Sequence, residues 1–337
     1  MRIAVIGSGI SGSLAARLLC FDHEVQVFEA NSYVGGHTHT SNVEAWEREF
    51  TVDTAFMVFN ERTYPNFTRM LQLLDIEAQD TDMSFSVHCD ATSLEYQGSS
   101  LNGLFAQRQN LVRPGFYRML ADIMRFNSKA IRHLDAHALD DGQTVREFLA
   151  ELNLGQLFLS HYLLPMTGAI WSTRPERMLE FPAKFLIGFL RNHGLLQVYD
   201  RPQWKTVSGG ARSYMDALTA PLRSRIRLSS PVTSVKRLAE GVSIATNKAA
   251  GELFDAVILA THADQTLQIL HDASVEEREF LKAFPYQTNE AVLHTDVSCM
   301  PRRPRAWASW NYRIPADRDD AVTVTYDLNR LQRLGAP

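Results

Sequence analysis

The sequence predicts an α/β chain built on a parallel sheet that begins at its second residue. Three observations predict it. Arg2-Ile3-Ala4-Val5-Ile6 and Glu24-Val25-Gln26-Val27-Phe28 are short apolar runs fit for buried parallel strands, and Leu14-Ala15-Ala16-Arg17-Leu18-Leu19 between them is a good helix former. The run Gly7-Ser8-Gly9-Ile10-Ser11-Gly12 stands where the first strand must turn into that helix. From about residue 65 to residue 200 the chain is apolar and helical in pattern, and short strands return after Trp204.

Strand, glycines, helix, second strand and the closing Glu29 form the βαβ fingerprint of a dinucleotide site. Gly7 permits the tight turn, Gly9 lets a pyrophosphate approach the backbone, and Gly12 lets the helix pack on the strands. Ile10 and Ser11 open the helix, whose N–H groups and positive dipole end favour phosphate. Glu29 can accept hydrogen bonds from ribose hydroxyls.

The 337 residues suffice for two domains, and 45% hydrophobic with 21% charged residues is a globular balance rather than a disordered one. A net charge of −4 makes no general case for nucleic acid. No apolar run approaches the roughly twenty residues of a membrane span. Arg2 leads directly into the glycine loop, which does not read as a signal peptide. Cys20, Cys89 and Cys299 are odd in number and lack a C-x-x-C, so reduced thiols and a cytoplasmic setting are expected. His37 and His39 have no carboxylate or cysteine cluster beside them, and no metal site is expected.

Along the chain, Pro65 opens a helix with Phe67, Met70, Leu71 and Leu74 on one face. Phe85–His88 and Leu94–Tyr96 read as strands of a second sheet. Pro114–Leu134 is an amphipathic helix with Phe116, Leu120, Ile123, Ala130 and Leu134 on one stripe. Arg118, Asp122, Arg125, Lys129 and Arg132 form the other. The window from Leu101 to His133 carries six basic residues and one acid. Two readings stand: a surface for anionic lipid head groups through Arg118, Arg125, Lys129 and Arg132, or a solvated helix face. Thr144-x-x-Glu147 is a capping box. A helical stretch from Leu157 to Leu164 is expected to end near Pro165. Trp171, Phe181, Phe185 and Phe189 belong to an apolar cap. Gly209-Gly210 precedes another helix. Ile226–Leu228, Pro231–Val235, Val242–Ala245 and Phe254–Thr261 read as strands, and Ser274-x-x-Glu277 as a second capping box. Ala291–Thr295, Ala306–Tyr312 and Val322–Tyr326 are expected strands of the second domain. Phe56, Trp171, Trp204 and Trp310 are the candidate substrate-side aromatics.

Glu29-Ala30 followed by Gly35-Gly36-His37-Thr38-His39-Thr40 is similar to the E-A-x₄-G-G-R-x-x-T pattern of the flavin-containing amine oxidase and phytoene desaturase superfamily, with His37 at the usual arginine. Phe50–Phe59 resembles its V-D-x-G segment, with Ala55 at the usual glycine. Val232 matches a backbone that contacts adenine. Phe254–Thr261 resembles the A-D-x-V-I-x-A-x-P strand, which brings in Ala260 and Thr261, with His262 where proline is frequent. The resemblance implies FAD, held by Gly7, Gly9, Ile10, Ser11, Gly12, Glu29, Ala30, Gly35, Gly36, His37, Thr38, Val232, Ala260 and Thr261. It implies a discontinuous Rossmann-like FAD-binding domain (1–62 and 203–265) and an α+β substrate domain with a helical cap (63–202 and 266–337).

Phe59–Pro65, Leu101–Arg108 and Arg305–Tyr312 resemble a narrower branch, the bacterial FAD proteins similar to the N-terminal extension of plant cyclopropane fatty acid synthases. That branch implies an oxidoreductase passing hydride from a fatty acyl or lipid substrate to flavin N5. Against the superfamily pattern the chain is expected to be C-terminally shortened, stopping at Leu334-Gly335-Ala336-Pro337. No catalytic residue is assigned. Amine oxidation is an alternative, although Tyr286–Val292 lacks the lysine usual near N5. A non-catalytic flavin-binding partner of a lipid-modifying methyltransferase is an alternative of another class. The expected location is cytoplasmic, peripheral to the inner face of the membrane.

Overall fold

A computed structural model describes residues 1–316 and 322–336; residues 317–321 and the chain end at Pro337 lie outside the described residues. The chain forms two compact units, one of Met1–Met57, Arg69–Ala78 and Val207–Leu293, the other of Val58–Thr68, Gln79–Thr206 and His294–Pro337.

In the first unit a parallel four-stranded sheet runs in the order Ala256–Leu259, Arg2–Ile6, Glu24–Phe28, Ile226–Arg227. The two-residue period of a strand sends Ala4 and Ile6 to one face and Val5 to the other. Ala4, Ile6 and Phe28 pack with Val235, Ile244, Phe254 and Leu270, while Val5, Val25 and Val27 pack with Ala16 of the first helix and Leu222. A three-stranded antiparallel sheet, Val232–Leu238, Gly241–Thr246 and Glu252–Phe254, supplies Val235, Ile244 and Phe254 to the first of these layers. Leu270 bridges to Val235 and is buried in that layer. The helices Ala263–Ile269 and Val275–Lys282 belong with the parallel sheet in the first unit, although the expected division put residues 266–293 in the second domain. Ala291–Thr295 is not a strand: it is exposed and forms no ladder among the described residues.

The second unit holds a mixed sheet in the order Thr323–Tyr326, Trp310–Ile314, Phe85–Cys89, Glu95–Gln97. The segment before it, Pro304–Ala306, is a 3₁₀ turn rather than the start of a strand. Helix Pro114–Asp135 buries Phe116, Met119, Phe126 and Ala130 in a core shared with Phe148, Phe158, Leu163, Leu186 and Leu190. Its Arg118, Arg125, Lys129 and Arg132 are exposed. Asp122 is not part of that solvated face. It is 1% exposed, and its Oδ2 accepts from Gly155 N at 2.9 Å, which anchors the start of the helical run from Gln156.

Thr144 and Glu147 form the reciprocal capping box of helix Val145–Leu152. The run from Gln156 does not stop at Pro165. It passes through a π turn at Leu159–Leu163 into helix Leu164–Trp171, with Pro165 in the first turn, where a missing N–H costs little.

Candidate dinucleotide site

The first turn explains its glycines individually. Gly7 has φ +99°, and a Cβ there would lie 2.6 Å from the carbonyl oxygen of Ala260. At Gly12 a Cβ would lie 2.0 Å from the carbonyl oxygen of Gly7. Both glycines are therefore demanded by the protein's own packing. Gly9 is different. Its φ of −59° suits any residue, and a Cβ would meet only the carbonyl oxygen of Gly35 at 3.9 Å. Nothing in the fold requires glycine at that position.

The second glycine pair lies along the first turn. Gly35 N donates to Ser8 O at 3.1 Å, Gly9 and Gly35 form a parallel bridge, and a Cβ on Gly36 would stand 3.5 Å from Gly9 Cα. Gly35 and Gly36 have φ of +117° and +57°, which side chains resist. Helix Ile10–Leu19 begins with no side-chain cap. Its first N–H groups, at Ile10 and Ser11, have no intrahelical acceptor. Ala260 N donates to Ile6 O at 2.8 Å, which ties Ala260 and Thr261 to the same turn.

Glu29 is 5% exposed. Its Oε2 accepts from Ser8 N at 2.9 Å and Ser8 Oγ at 2.5 Å, and its Oε1 accepts from Asn31 N at 2.8 Å. A carboxylate offers about four lone-pair sites, so about one remains for a ligand. Ala30 is exposed. Ser230 N donates to Glu29 O and Ser229 N to Asn31 O, each at 2.8 Å, and this pairing leads directly into Val232. The backbone near the carboxylate thus runs beside the segment that opens the Val232 strand.

Thr38 and His37 diverge. Thr38 lines a cavity of about 190 Å³ with Tyr33, His39, Arg212 and Asp216. The His37 ring stacks on His262 at 4.9 Å, and His262 stacks on Tyr286 at 4.5 Å. Tyr286 Oη accepts from Ala263 N at 3.0 Å. Two of the positions where this sequence departs from the superfamily pattern, His37 for arginine and His262 for proline, are therefore in contact.

Asp53 has a role that sequence reasoning missed. Both its carboxylate oxygens accept from Ala211 N, at 2.9 and 3.0 Å, and Oδ1 also accepts from Thr40 Oγ1 at 2.6 Å. It caps helix Ala211–Thr219, and a Cβ on Gly210 would come within 2.9 Å of Oδ1. Burial pushes the Asp53 carboxyl above its ordinary value, against the hydrogen bonds from Thr40 and Ala211.

The candidate substrate aromatics fall in different units. Phe56, 42% exposed with φ +50°, is in the first. The other three are in the second. Trp171 packs with Phe181, Phe185 and Phe189, and Trp204 lies near-parallel to His193. Trp310 meets Tyr326 edge-on, its indole Nε1 buried without a partner among the described residues. Among the described residues no three side chains of metal-ligating type come together.

Residues 10–305 match the family model described as flavin containing amine oxidoreductase. A comparison with curated protein sequences found no match. Similar solved structures include cyclohexylamine oxidase from Brevibacterium oxydans IH-35A (21% identity, TM-score 0.62, 84% of this chain and 62% of that one). Putrescine oxidase bound to putrescine is 17% identical at TM-score 0.59, with 84% of this chain and 63% of that chain covered. A fatty acid isomerase from P. acnes that produces CLA is 16% identical at TM-score 0.57, with 83% and 63% covered. The chain spans less than two thirds of the length of each, and identities this low show a shared fold.

Proposed function

The chain belongs to the flavin-containing amine oxidoreductase family, and from that premise we propose that it is an FAD-dependent oxidoreductase acting on a long apolar, fatty acyl or lipid substrate. The family's cofactor is FAD, and the residues present fit it. Gly9 carries the argument, because its conformation and surroundings admit a side chain and only a ligand passing over the turn requires its absence. Gly7–Gly12 with Gly35–Gly36 would hold the pyrophosphate, the remaining Glu29 lone pair a ribose hydroxyl, and the Val232 strand the adenine. When bound, FAD supplies a two-electron acceptor for hydride.

The protein's own task is then to bind and orient an acyl chain and to keep water away. Arg118, Arg125, Lys129 and Arg132, all exposed on one helix, support a peripheral contact with anionic lipid at the inner face of the membrane. No described helix is long and apolar enough to cross a membrane. The shared fold does not choose the substrate, since amine oxidases and a fatty acid isomerase both have it.

The test is anaerobic addition of phospholipid vesicles to the purified protein. Loss of the oxidised flavin's visible absorbance is the expected result. Bleaching by amines and by no acyl lipid would overturn the substrate assignment in favour of amine oxidation. A colourless protein that still binds vesicles would overturn the redox reading in favour of a partner role.

His37 provides a second check. Replacing it with arginine puts a permanent, planar donor on the glycine loop. His37→Arg should retain FAD several-fold longer than the parent protein during dialysis, read by protein-bound absorbance.

A further inference from the structure

Helix Ala183–Asn192 in the second unit has two faces of different chemistry. Ala183, Leu186, Ile187 and Leu190 are buried in the core. Lys184, Phe185, Gly188, Arg191 and Asn192 fall on the opposite face at helical spacing and line an open groove of about 770 Å³, which Arg62, Leu134, Phe189 and Gln197 complete. Three features make this groove unlike an ordinary solvated surface.

The first feature is exposed aromatic area. Phe185 is 54% exposed, and Phe189 continues the apolar strip, its ring stacked on His193 at 3.9 Å. The second is the missing side chain between them. Gly188 sits mid-helix, where glycine is disfavoured relative to alanine. A Cβ there would meet nothing within 4 Å, so the space over it is the groove itself. The third is the charge balance. Lys184 is paired with Asp141 at 2.6 Å, and Arg191 is paired with Asp135. Arg62 donates to the backbone carbonyl of Asn192 at 3.4 Å and has no carboxylate partner among the described residues. The groove therefore combines an apolar floor with one uncompensated guanidinium.

We propose that this groove binds a single-chain amphiphile with a singly charged anionic head, a fatty acid, whose carboxylate pairs with Arg62 and whose chain lies over Gly188 between Phe185 and Phe189. A guanidinium matches a carboxylate in two parallel hydrogen bonds. One uncompensated cation suits a monoanion better than the polyphosphate of a nucleotide. The inference concerns binding alone and goes beyond the redox reading.

The test is a fluorescence titration of the full-length protein with dansylaminoundecanoic acid. Saturable binding is expected, displaced by palmitate and at least tenfold less effectively by methyl palmitate. Arg62→Gln should weaken it about tenfold, the scale of one charge-assisted contact. Gly188→Leu should abolish binding while keeping the melting temperature, because leucine favours the helix and its side chain enters open space. Unsaturable binding, equal displacement by the ester, displacement by ATP, or undiminished binding in a folded Gly188→Leu protein would each overturn the proposal. Probe binding needs no flavin turnover. If the probe binds while acyl lipids fail to bleach the flavin, the redox reading fails and the groove stands; the opposite result does the reverse.

Discussion

Gly12→Ala should strip the protein of flavin and destabilise the first unit, whereas Gly9→Ala should strip the flavin alone. The two glycines are three residues apart and identical in the motif, but their surroundings separate them. The added methyl at Gly12 would sit 2.0 Å from the carbonyl oxygen of Gly7 and 3.0 Å from Ala260 Cβ. The first neighbour is backbone in the turn itself, so the strand and helix must separate to admit the methyl. Such overpacking costs about 3 kcal/mol. At Gly9 the nearest neighbour is 3.9 Å away and φ is ordinary, so the fold accepts alanine. There the methyl occupies the space over the turn that the pyrophosphate needs. The measurement is visible absorbance per protein beside a thermal melt. Both variants should purify pale, with a lowered melting temperature in Gly12→Ala only. A Gly9→Ala protein that keeps its full colour would remove the observation on which the cofactor site rests.

Features carried by short-range pattern were legible in the sequence. The βαβ unit, both capping boxes and the amphipathic helix at Pro114 depend on residues a few positions apart, and each appears in the structure at its expected place. What was hidden depends on partners distant in the chain. Asp53 reads as part of a flavin-side strand until helix Ala211–Thr219 arrives 158 residues later and takes its carboxylate as a cap. Asp122 has the spacing of a solvated face, and only the approach of Gly155 explains its burial. The stack of His37, His262 and Tyr286 joins three positions that no local rule connects. Ala291–Thr295 has the composition of a strand, but a strand exists only with a neighbour to pair with, and composition does not supply one.

The buried charges of the second unit make the other large prediction. Glu95 and His88 are cross-strand neighbours, and Arg313 pairs with His88 on its other side. His88 Nε2 lies 2.8 Å from Asp90 Oδ1, and its Nδ1 lies 2.8 Å from Glu95 Oε1 without the alignment of a hydrogen bond. Glu95 also accepts from Arg302 N at 3.0 Å and Arg303 at 2.9 Å, and Asp90 pairs with Arg313 at 2.9 Å. Burial by itself would raise the Glu95 carboxyl. The hydrogen bonds from Arg303 and Arg302, with the charge of His88, hold it below its ordinary value instead, and His88 and Arg313 do the same for Asp90.

Glu95→Ala removes the acceptor shared by Arg302 N–H and Arg303, and leaves His88, only 8% exposed, facing one remaining carboxylate. Breaking a buried pair costs about 3–5 kcal/mol, and the lower end applies because Arg303 reaches water. The second unit should melt about 5–10 °C lower. Glu95→Gln keeps the shape and an acceptor for Arg302 N–H, so it should lose about half as much. The pH dependence follows from the sign of the shifts. A depressed carboxyl contributes stability that is present above its unfolded value, about 4.3 for glutamate, and is lost as pH falls through the folded value. Urea midpoints should therefore be level near neutrality and fall below about pH 4 in the parent, with a shallower fall in Glu95→Gln. Parallel acid profiles in the two proteins would show that Glu95 does not hold the sheet through its charge.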